Sequence, residues 1–240
     1  SPWHLGQESG LDRETMLALA AQRGGDPDRE GKRDPLDPVL WRGRIDGDPS
    51  WTTVLGDGRP GWHIECSVIA QQLLELPIAV NGGGADLAFP HHEFTAGHTA
   101  ALTGHRHAHL WSHVGLVSYQ GTPMSKSLGN LVLVSRLIDQ GVDPRAIRLA
   151  ILSQHYRGGW EWTDALLESA QARLTSWLAW APTPGRRHGT LTQELRTTLA
   201  DDLDTPSALA RVDARIAAHQ TPGGGDLDAI AALLGVRLVE

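Results

Sequence analysis

One stretch narrows the fold of this 240-residue chain more than any other: Ile78-Ala79-Val80-Asn81 running into Gly82-Gly83-Gly84. The apolar residues read as a short strand and the glycines as its end. Just before it, Cys66, Ile69, Ala70, Leu73 and Leu74 recur at i, i+3, i+4, i+7 and i+8, one face of a helix that Pro77 stops. Just after it, a second helix is expected from near His91 to Leu102, then a strand over 113–119 and a loop over 121–130. Helix and strand in alternation are the pattern of an α/β layer. Glycines at a strand end let a ligand approach the backbone, and a carboxylate a few residues on, such as Asp86, accepts hydrogen bonds from ribose hydroxyls. A glycine-rich turn with a solvated aspartate is the plainer reading of the same letters.

On either side the pattern changes. Residues 1–60 are punctuated by Gly, Pro and Asp, with one helical stretch around Arg13–Gln22. From Asp143 onward the chain reads as all-helical. Asp143-Pro144 is an N-cap followed by a first-turn proline, opening a helix expected to reach Gln154. Thr163 caps a helix with Leu167, Ala170, Leu174 and Leu178 along one stripe, 182–189 is a linker, and Leu191, Leu195 and Leu199 mark another helix. Thr205-Pro206 repeats the cap-and-proline device before Leu209, Val212 and Ile216, and a last short helix holds Leu227, Ile230 and Leu234. The expected organisation is a connective segment over 1–60, an α/β segment over 61–142 and a helical bundle over 143–240.

Composition excludes several classes. Cys66 is the only cysteine, which rules out an internal disulfide framework. A net charge of -7 counts against a general polyanion-binding surface, although a local basic patch is compatible with it. No run approaches the roughly 18 apolar residues of a membrane span, and no leader opens the chain, so a cytoplasmic protein is expected. Of the 21 basic residues only Lys32 and Lys126 are lysines. Lys126 sits in Met124-Ser125-Lys126-Ser127-Leu128-Gly129-Asn130. Two hydroxyls, backbone N–H groups and one compact ammonium suit the charge that builds on phosphate during adenylyl transfer; a solvated serine loop is the alternative. Cys66 with His91 and His92 offers thiolate and imidazole donors for zinc. Against that, Cys66 lies on an apolar stripe, where a free cysteine is ordinarily a small hydrophobe. His98, His105, His107, His109 and His113 are tempting as further ligands, but most of them read more simply as surface or strand-edge residues.

Taken in order, Arg59-Pro60-Gly61-Trp62-His63-Ile64-Glu65-Cys66-Ser67, Gly82 to Asp86, Phe89-Pro90-His91-His92-Glu93 and Met124 to Asn130 resemble the cysteinyl-tRNA synthetase family. That family includes a paralogous branch, the mycothiol cysteine ligases, which join cysteine to glucosaminyl-inositol. The likeness runs from Asp34-Pro35-Leu36-Asp37-Pro38-Val39-Leu40-Trp41 to Asp202-Leu203-Asp204-Thr205-Pro206. It implies the second half of a class I aminoacyl-tRNA synthetase-type Rossmann domain followed by a small α-helical bundle. On the order of 100 residues or more are then expected upstream, at some 30 per βαβ unit. The resemblance implies Zn2+ on Cys66 and His91 together with a cysteine of the upstream half. It also implies Trp62 lining the cysteine pocket, Gly84, Ala85 and Asp86 touching the adenylate, and Val117 beside adenine. Residues 123–127 stand where the family carries a Lys-Met-Ser-Lys-Ser loop: Ser125, Lys126 and Ser127 match, and Pro123 replaces the first lysine.

Two departures point to the ligase branch. Thr95 stands where the synthetase has a glutamate ligand, and Gln22-Arg23-Gly24-Gly25-Asp26-Pro27 resembles a ligase motif. The chain also ends soon after its helical part, where a tRNA-reading enzyme is expected to carry an anticodon-binding domain. The resemblance therefore implies a two-step reaction. L-Cysteine and ATP, with Mg2+, give cysteinyl-adenylate; the amine of glucosaminyl-inositol then takes the cysteinyl group. Lys126 and Asp86 are the expected catalytic pair, no tRNA or membrane partner is expected, and the complete enzyme is expected to be a monomer. Charging of cysteine tRNA is one rival. A non-catalytic synthetase-like binding module, favoured by Pro123 and the absent half, is the other.

Overall fold

A computed structural model of the chain describes residues 3–182 and 190–239, so the linker expected over 182–189 falls almost wholly outside the described residues. The chain packs as two units, Ser1–Val114 and Gly115–Glu240.

The first unit opens with helix α1, Arg13–Gln22, whose N-cap Asp12 accepts a hydrogen bond from the Thr15 N–H. A three-stranded antiparallel sheet that no sequence pattern announced follows: β1 (Trp41–Gly43), β2 (Trp51–Thr53) and β3 (Gly56–Pro60), in the order β1-β3-β2. Then come α2 (Trp62–Leu73), β4 (Ile78–Gly84), α3 (Glu93–Thr103) and β5 (Ala108–Val114). β4 and β5 pair in parallel, from Ile78 opposite Ala108 to Gly84 opposite Val114. The strand therefore includes the three glycines and ends at Gly84. Between β4 and α3 the chain makes a kinked turn over 85–92, so His91 precedes the helix it was expected to begin.

Met16, Ala20, Leu36, Phe89 and Phe94 form the core of this unit. The apolar stripe of α2 is not part of it. Ile69, Leu73 and Leu74 are exposed, Leu73 by 76%, while Ser67 is the residue of α2 that is buried. Val80, Leu110 and Val114 on β4 and β5 are exposed as well. Glu93, by contrast, is completely buried. Its carboxylate accepts the N–H groups of Gly6 (3.0 Å), Glu8 (3.1 Å) and Ser9 (2.7 Å), tying the N-terminal loop to the start of α3.

The second unit has a small sheet and a helical bundle. β6 (Val117–Tyr119) lies between β7 (Thr122–Pro123), antiparallel to it, and β8 (Trp160–Trp162), parallel to it. The single strand expected over 113–119 is thus two strands in different sheets. The break falls at Gly115, which passes so close to the Gly158 carbonyl that no side chain would fit, and whose N–H goes to the Tyr156 carbonyl at 2.7 Å. The helices are α4 (Val134–Asp139), α5 (Pro144–Leu152), α6 (Asp164–Trp180), α7 (Leu191–Ala200), α8 (Thr205–Ala217) and α9 (Asp226–Ala229). Asp143 and Thr163 cap α5 and α6 as expected. α8 is capped one residue earlier than expected: Asp204 accepts the Ser207 N–H, and Pro206 lies inside the first turn. Trp177, Leu195, Leu209, Val212 and Ile230 make up the centre of the bundle, and Asp213 receives the Trp177 indole N–H at 2.8 Å. Outside the bundle, Asp202 accepts Arg157 Nη2 (2.8 Å) and the Tyr156 hydroxyl (2.7 Å). Among the described residues no helix is long and apolar enough to cross a membrane.

Candidate active site

In the first unit, three of the expected site residues, Trp62, Cys66 and His91, lie on α2 or against its first residue. Gly61 caps that helix with extended backbone, and a Cβ there would run into the Val39 carbonyl, so only glycine lets β3 turn into α2 at this point. Trp62, the first helical residue, stacks on His91 with ring centroids 4.4 Å apart and planes 20° off parallel. His63 Nδ1 lies 3.0 Å from His91 Nδ1. Cys66 follows Trp62 by one helical turn and is half-buried. Ser67 Oγ is 2.9 Å from the Thr95 carbonyl and the Thr95 hydroxyl 3.4 Å from the His63 carbonyl, which fixes α2 against α3. The hydroxyl of buried Thr95 is thus turned toward backbone.

A second set of contacts holds the end of β4. Asn81 Nδ2 is 3.2 Å from His92 Nε2, and His92 Nδ1 is 2.8 Å from His113 Nε2 on β5. An amide donating to Nε2 leaves the His92 proton on Nδ1, where it is donated to His113. Gly83 makes the close approach possible: a Cβ there would sit 2.8 Å from His92 Cε1. Gly84 is half-buried, and Ala85 and Asp86 are exposed, with the Asp86 carboxylate open to a ligand. Arg23, from the motif over 22–27, holds this turn from behind by donating Nη1 to the carbonyls of Asp86 (2.6 Å) and Phe89.

Burial sets the charge state of these rings. It holds His63 at about 4, with the neighbouring His91 and His98 adding to the effect, and His92 at about 4, with His113 adding to it. It lowers His91 too. All three are neutral at pH 7, with ring nitrogens able to accept a hydrogen bond or bind a metal. Burial raises the Cys66 thiol, and the Glu65 carboxylate raises it further. Cys66 and His91 are donor types that suit zinc, but the described residues contain no group of three or more metal-binding side chains. The two do not complete a metal site by themselves.

The other expected residues lie in the second unit. Val117 is half-buried on β6 opposite Trp160 of β8. The loop after β7 is closed by Asn130, whose Oδ1 accepts the Ser125 N–H (2.8 Å) and whose Nδ2 donates to the Pro123 carbonyl (3.2 Å). Ser125 Oγ is 3.2 Å from Ser127 Oγ. Lys126 is exposed between them, and among the described residues no hydrogen bond or ion pair engages its ammonium. A loop with its base fixed and its one cation unpaired is suited to an anionic ligand.

Sequence reasoning missed part of the site. His98 and His107 are buried, so two of the histidines read as surface or strand-edge residues are interior, whereas His113 is half-buried on β5, which pairs with one strand only among the described residues. His107 Nδ1 reaches the Thr99 hydroxyl at 2.8 Å. His63 had a usable signal, since it lies three residues before Cys66 on the same helix. His92–His113 and Arg23–Asp86 are contacts across the fold that spacing does not reveal.

The family described as tRNA synthetases class I (C) catalytic domain matches residues 6–172. The chain is 58% identical to the L-cysteine:1D-myo-inositol 2-amino-2-deoxy-alpha-D-glucopyranoside ligase of Clavibacter michiganensis, over 99% of this chain and 57% of that protein. It is 58% identical to the ligase of the same name from Clavibacter sepedonicus, over 99% and 60%. It is 52% identical to the one from Micrococcus luteus, over 98% and 58%. The chain therefore spans 57–60% of the length of these relatives. An α/β unit with glycines at the end of a parallel strand and a helical unit after it, matched by that family over most of its length, mark the chain as a member of the class I (C) tRNA synthetase catalytic domain family.

Proposed function

We propose that the complete protein is the ATP-dependent ligase that joins L-cysteine to the amine of glucosaminyl-inositol, in the biosynthesis of mycothiol. The observation that carries this reading is the 52–58% identity to ligases of that name across 98–99% of the chain. In the first step the cysteine carboxylate attacks the α-phosphorus of ATP, and pyrophosphate leaves. In the second the neutral sugar amine attacks the acyl carbon, AMP leaves and an amide remains. Trp62 would pack on the bound amino acid, and Gly84 and Ala85 would let the adenylate approach backbone. Asp86 would accept ribose hydroxyls, and Val117 would lie beside adenine. Ser125, Lys126 and Ser127 would meet the phosphates, Lys126 together with Mg2+ offsetting charge where it develops.

Zinc belongs to the proposal through Cys66 and His91, with further donors from the rest of the complete protein. A metal there would favour a thiol-bearing substrate over a hydroxyl-bearing one. The exposed apolar faces of α2, β4 and β5 support such a further part, because parallel strands are normally covered on both faces. Residues 61–142 are proposed as the catalytic segment, 143–240 as the helical domain and 1–60 as an insertion between parts of the catalytic domain. The complete protein would act in the cytoplasm as a monomer, without tRNA or membrane.

The test is cysteine-dependent ATP–pyrophosphate exchange by the complete protein, followed by a comparison of acceptors. Formation of cysteinyl-glucosaminyl-inositol, with no charging of cysteine tRNA, is the expected result. Efficient tRNA charging would replace this reading with that of a synthetase, and absence of exchange would leave the binding module.

A further inference from the structure

Beside the α2 N-terminus lies a cavity of about 170 Å3, lined in part by Gly61, Trp62 and His63. Four of its lining residues are cations: Arg23, Lys32, Arg42 and Arg59. Trp62 also lines it, as does Asp37, whose Oδ2 accepts the N–H groups of Arg33 (3.1 Å) and Asp34 (3.0 Å) and whose Oδ1 is left for a ligand among the described residues. In a chain of net charge -7, four cations around one small cavity are a local reversal of sign. The walls are held by contacts that leave little play. Lys32 Nζ donates to the Gly25 carbonyl (2.6 Å) and the Pro35 carbonyl (3.1 Å), and the Gly25 N–H goes to the Ala20 carbonyl at 2.8 Å. A Cβ on Gly25 would sit 2.9 Å from that same carbonyl. Arg59 Nη2 pairs with Asp48 at 3.0 Å, while its Nε is buried without a partner among the described residues. Arg42 is exposed on β1, and no hydrogen bond or ion pair engages its guanidinium among the described residues.

We propose that this cavity is the acceptor subsite, and that it holds the inositol ring of the acceptor through the guanidinium groups of Arg42 and Arg59 and the carboxylate of Asp37. The inference rests on the ligase reading and adds to it the residues that choose the acceptor. Three features carry it. The cavity is lined by Trp62, the residue proposed above to pack on the bound cysteine, so a molecule held in it would lie next to the activated acyl group. Its volume is below the ~300 Å3 of a site that encloses a whole ligand, and so suits one ring of a two-ring acceptor. Its chemistry is that of a polyol: guanidinium forks donate to adjacent hydroxyls, and a carboxylate accepts from them. The surrounding positive charge also disfavours an ammonium, which keeps the incoming amine in the neutral form that attacks. The motif over 22–27, which the adenylate site left unexplained beyond Arg23, forms one wall of the cavity through Arg23, Gly24 and Gly25.

The test compares the complete wild-type enzyme with Arg42→Ala and Arg42→Lys. Cysteine-dependent ATP–pyrophosphate exchange should stay within twofold of wild type in both variants. The KM for glucosaminyl-inositol should rise about tenfold or more in Arg42→Ala, and Arg42→Lys should recover part of it. Wild-type ligation with an unchanged acceptor KM in Arg42→Ala would overturn the subsite and leave the ligase reading standing. A parallel loss of exchange in Arg42→Ala would also overturn it, by showing a general structural role. Wild-type enzyme that exchanges pyrophosphate without ligating the acceptor would remove the ligase reading, and the subsite with it. Should the wild type charge cysteine tRNA and Arg42→Ala lose that charging, the cavity would be a nucleic-acid contact instead.

Discussion

Replacing Glu93 with glutamine is the sharpest perturbation the first unit offers, because it changes a single atom at the centre of three hydrogen bonds. The carboxylate is fully buried and accepts one N–H on Oε1, from Gly6, and two on Oε2, from Glu8 and Ser9. A glutamine amide has one acceptor oxygen. Its best orientation keeps that oxygen on Glu8 and Ser9 and sets its NH2 against the Gly6 N–H, donor facing donor. An unsatisfied buried donor costs about 1–3 kcal/mol, and the two remaining bonds lose the ~0.5–1.5 kcal/mol each that charge assistance adds. The sum centres on about 3–4 kcal/mol, spent on holding the loop over 5–9 against α3. Amide hydrogen exchange in the complete protein reads this locally, without requiring two-state unfolding. A local loss of about 3 kcal/mol corresponds to more than hundredfold faster exchange at the amides of Gly6, Glu8 and Ser9, since each ~1.4 kcal/mol is a factor of ten. Rates within threefold of wild type would show that the three bonds contribute little, and the argument from buried charge would be wrong.

Other expectations follow from the same geometry. Lys126→Ala should slow pyrophosphate exchange tenfold or more, at least ~1.4 kcal/mol in the activation barrier, with the cysteine KM within twofold; an exchange rate within twofold of wild type refutes the assignment. Gly83→Ala should destabilise by about 1–3 kcal/mol in denaturant melts, because its Cβ would press on a His92 ring already held by Asn81 and His113. An unchanged midpoint would mean the ring has room to move. Hydrogen bonds from Arg157 and then Tyr156 hold the Asp202 carboxyl at about 2. Since its folded value lies below the unfolded one, the contact is fully present above roughly pH 4 and is lost as pH falls through about 2. An NMR titration should show that midpoint, and Arg157→Ala should move it up toward the usual carboxylate range; no movement would exclude Arg157 as the main cause.

Much of the local structure was legible because it depends on neighbours in sequence. Asp143 and Thr163 cap their helices through side chains two or three residues from the amide they satisfy, and such spacing is written in the chain. The sheet of β1, β2 and β3 was not legible. Its strands are three to five residues long and largely exposed, so they carry no alternation of apolar and polar residues to read. The stretch over 113–119 concealed its break at Gly115, because what divides it is the approach of Gly158, more than 40 residues later. The stripe of α2 was legible as a stripe but its exposure was not, since periodicity reports which residues share a face and not what covers that face. In the candidate site, the motifs supplied Trp62, Cys66, His91 and Asp86, whereas the ring contacts of His63, His92 and His113 needed the folded chain.

The Asn130 side-chain amide bonds both Ser125 and Pro123 and so closes 125–130, the stretch that carries Lys126, into a loop with a stiff base. A cation on such a loop travels differently from one on a loose tether. Its backbone moves with a base held at Ser125 and Pro123, so the excursions of Lys126 come mainly from its own side chain. Fewer orientations then have to be surrendered when the ammonium meets an anion. An alanine at 130 would cut that tie while leaving every charge in place, converting a lever into a string.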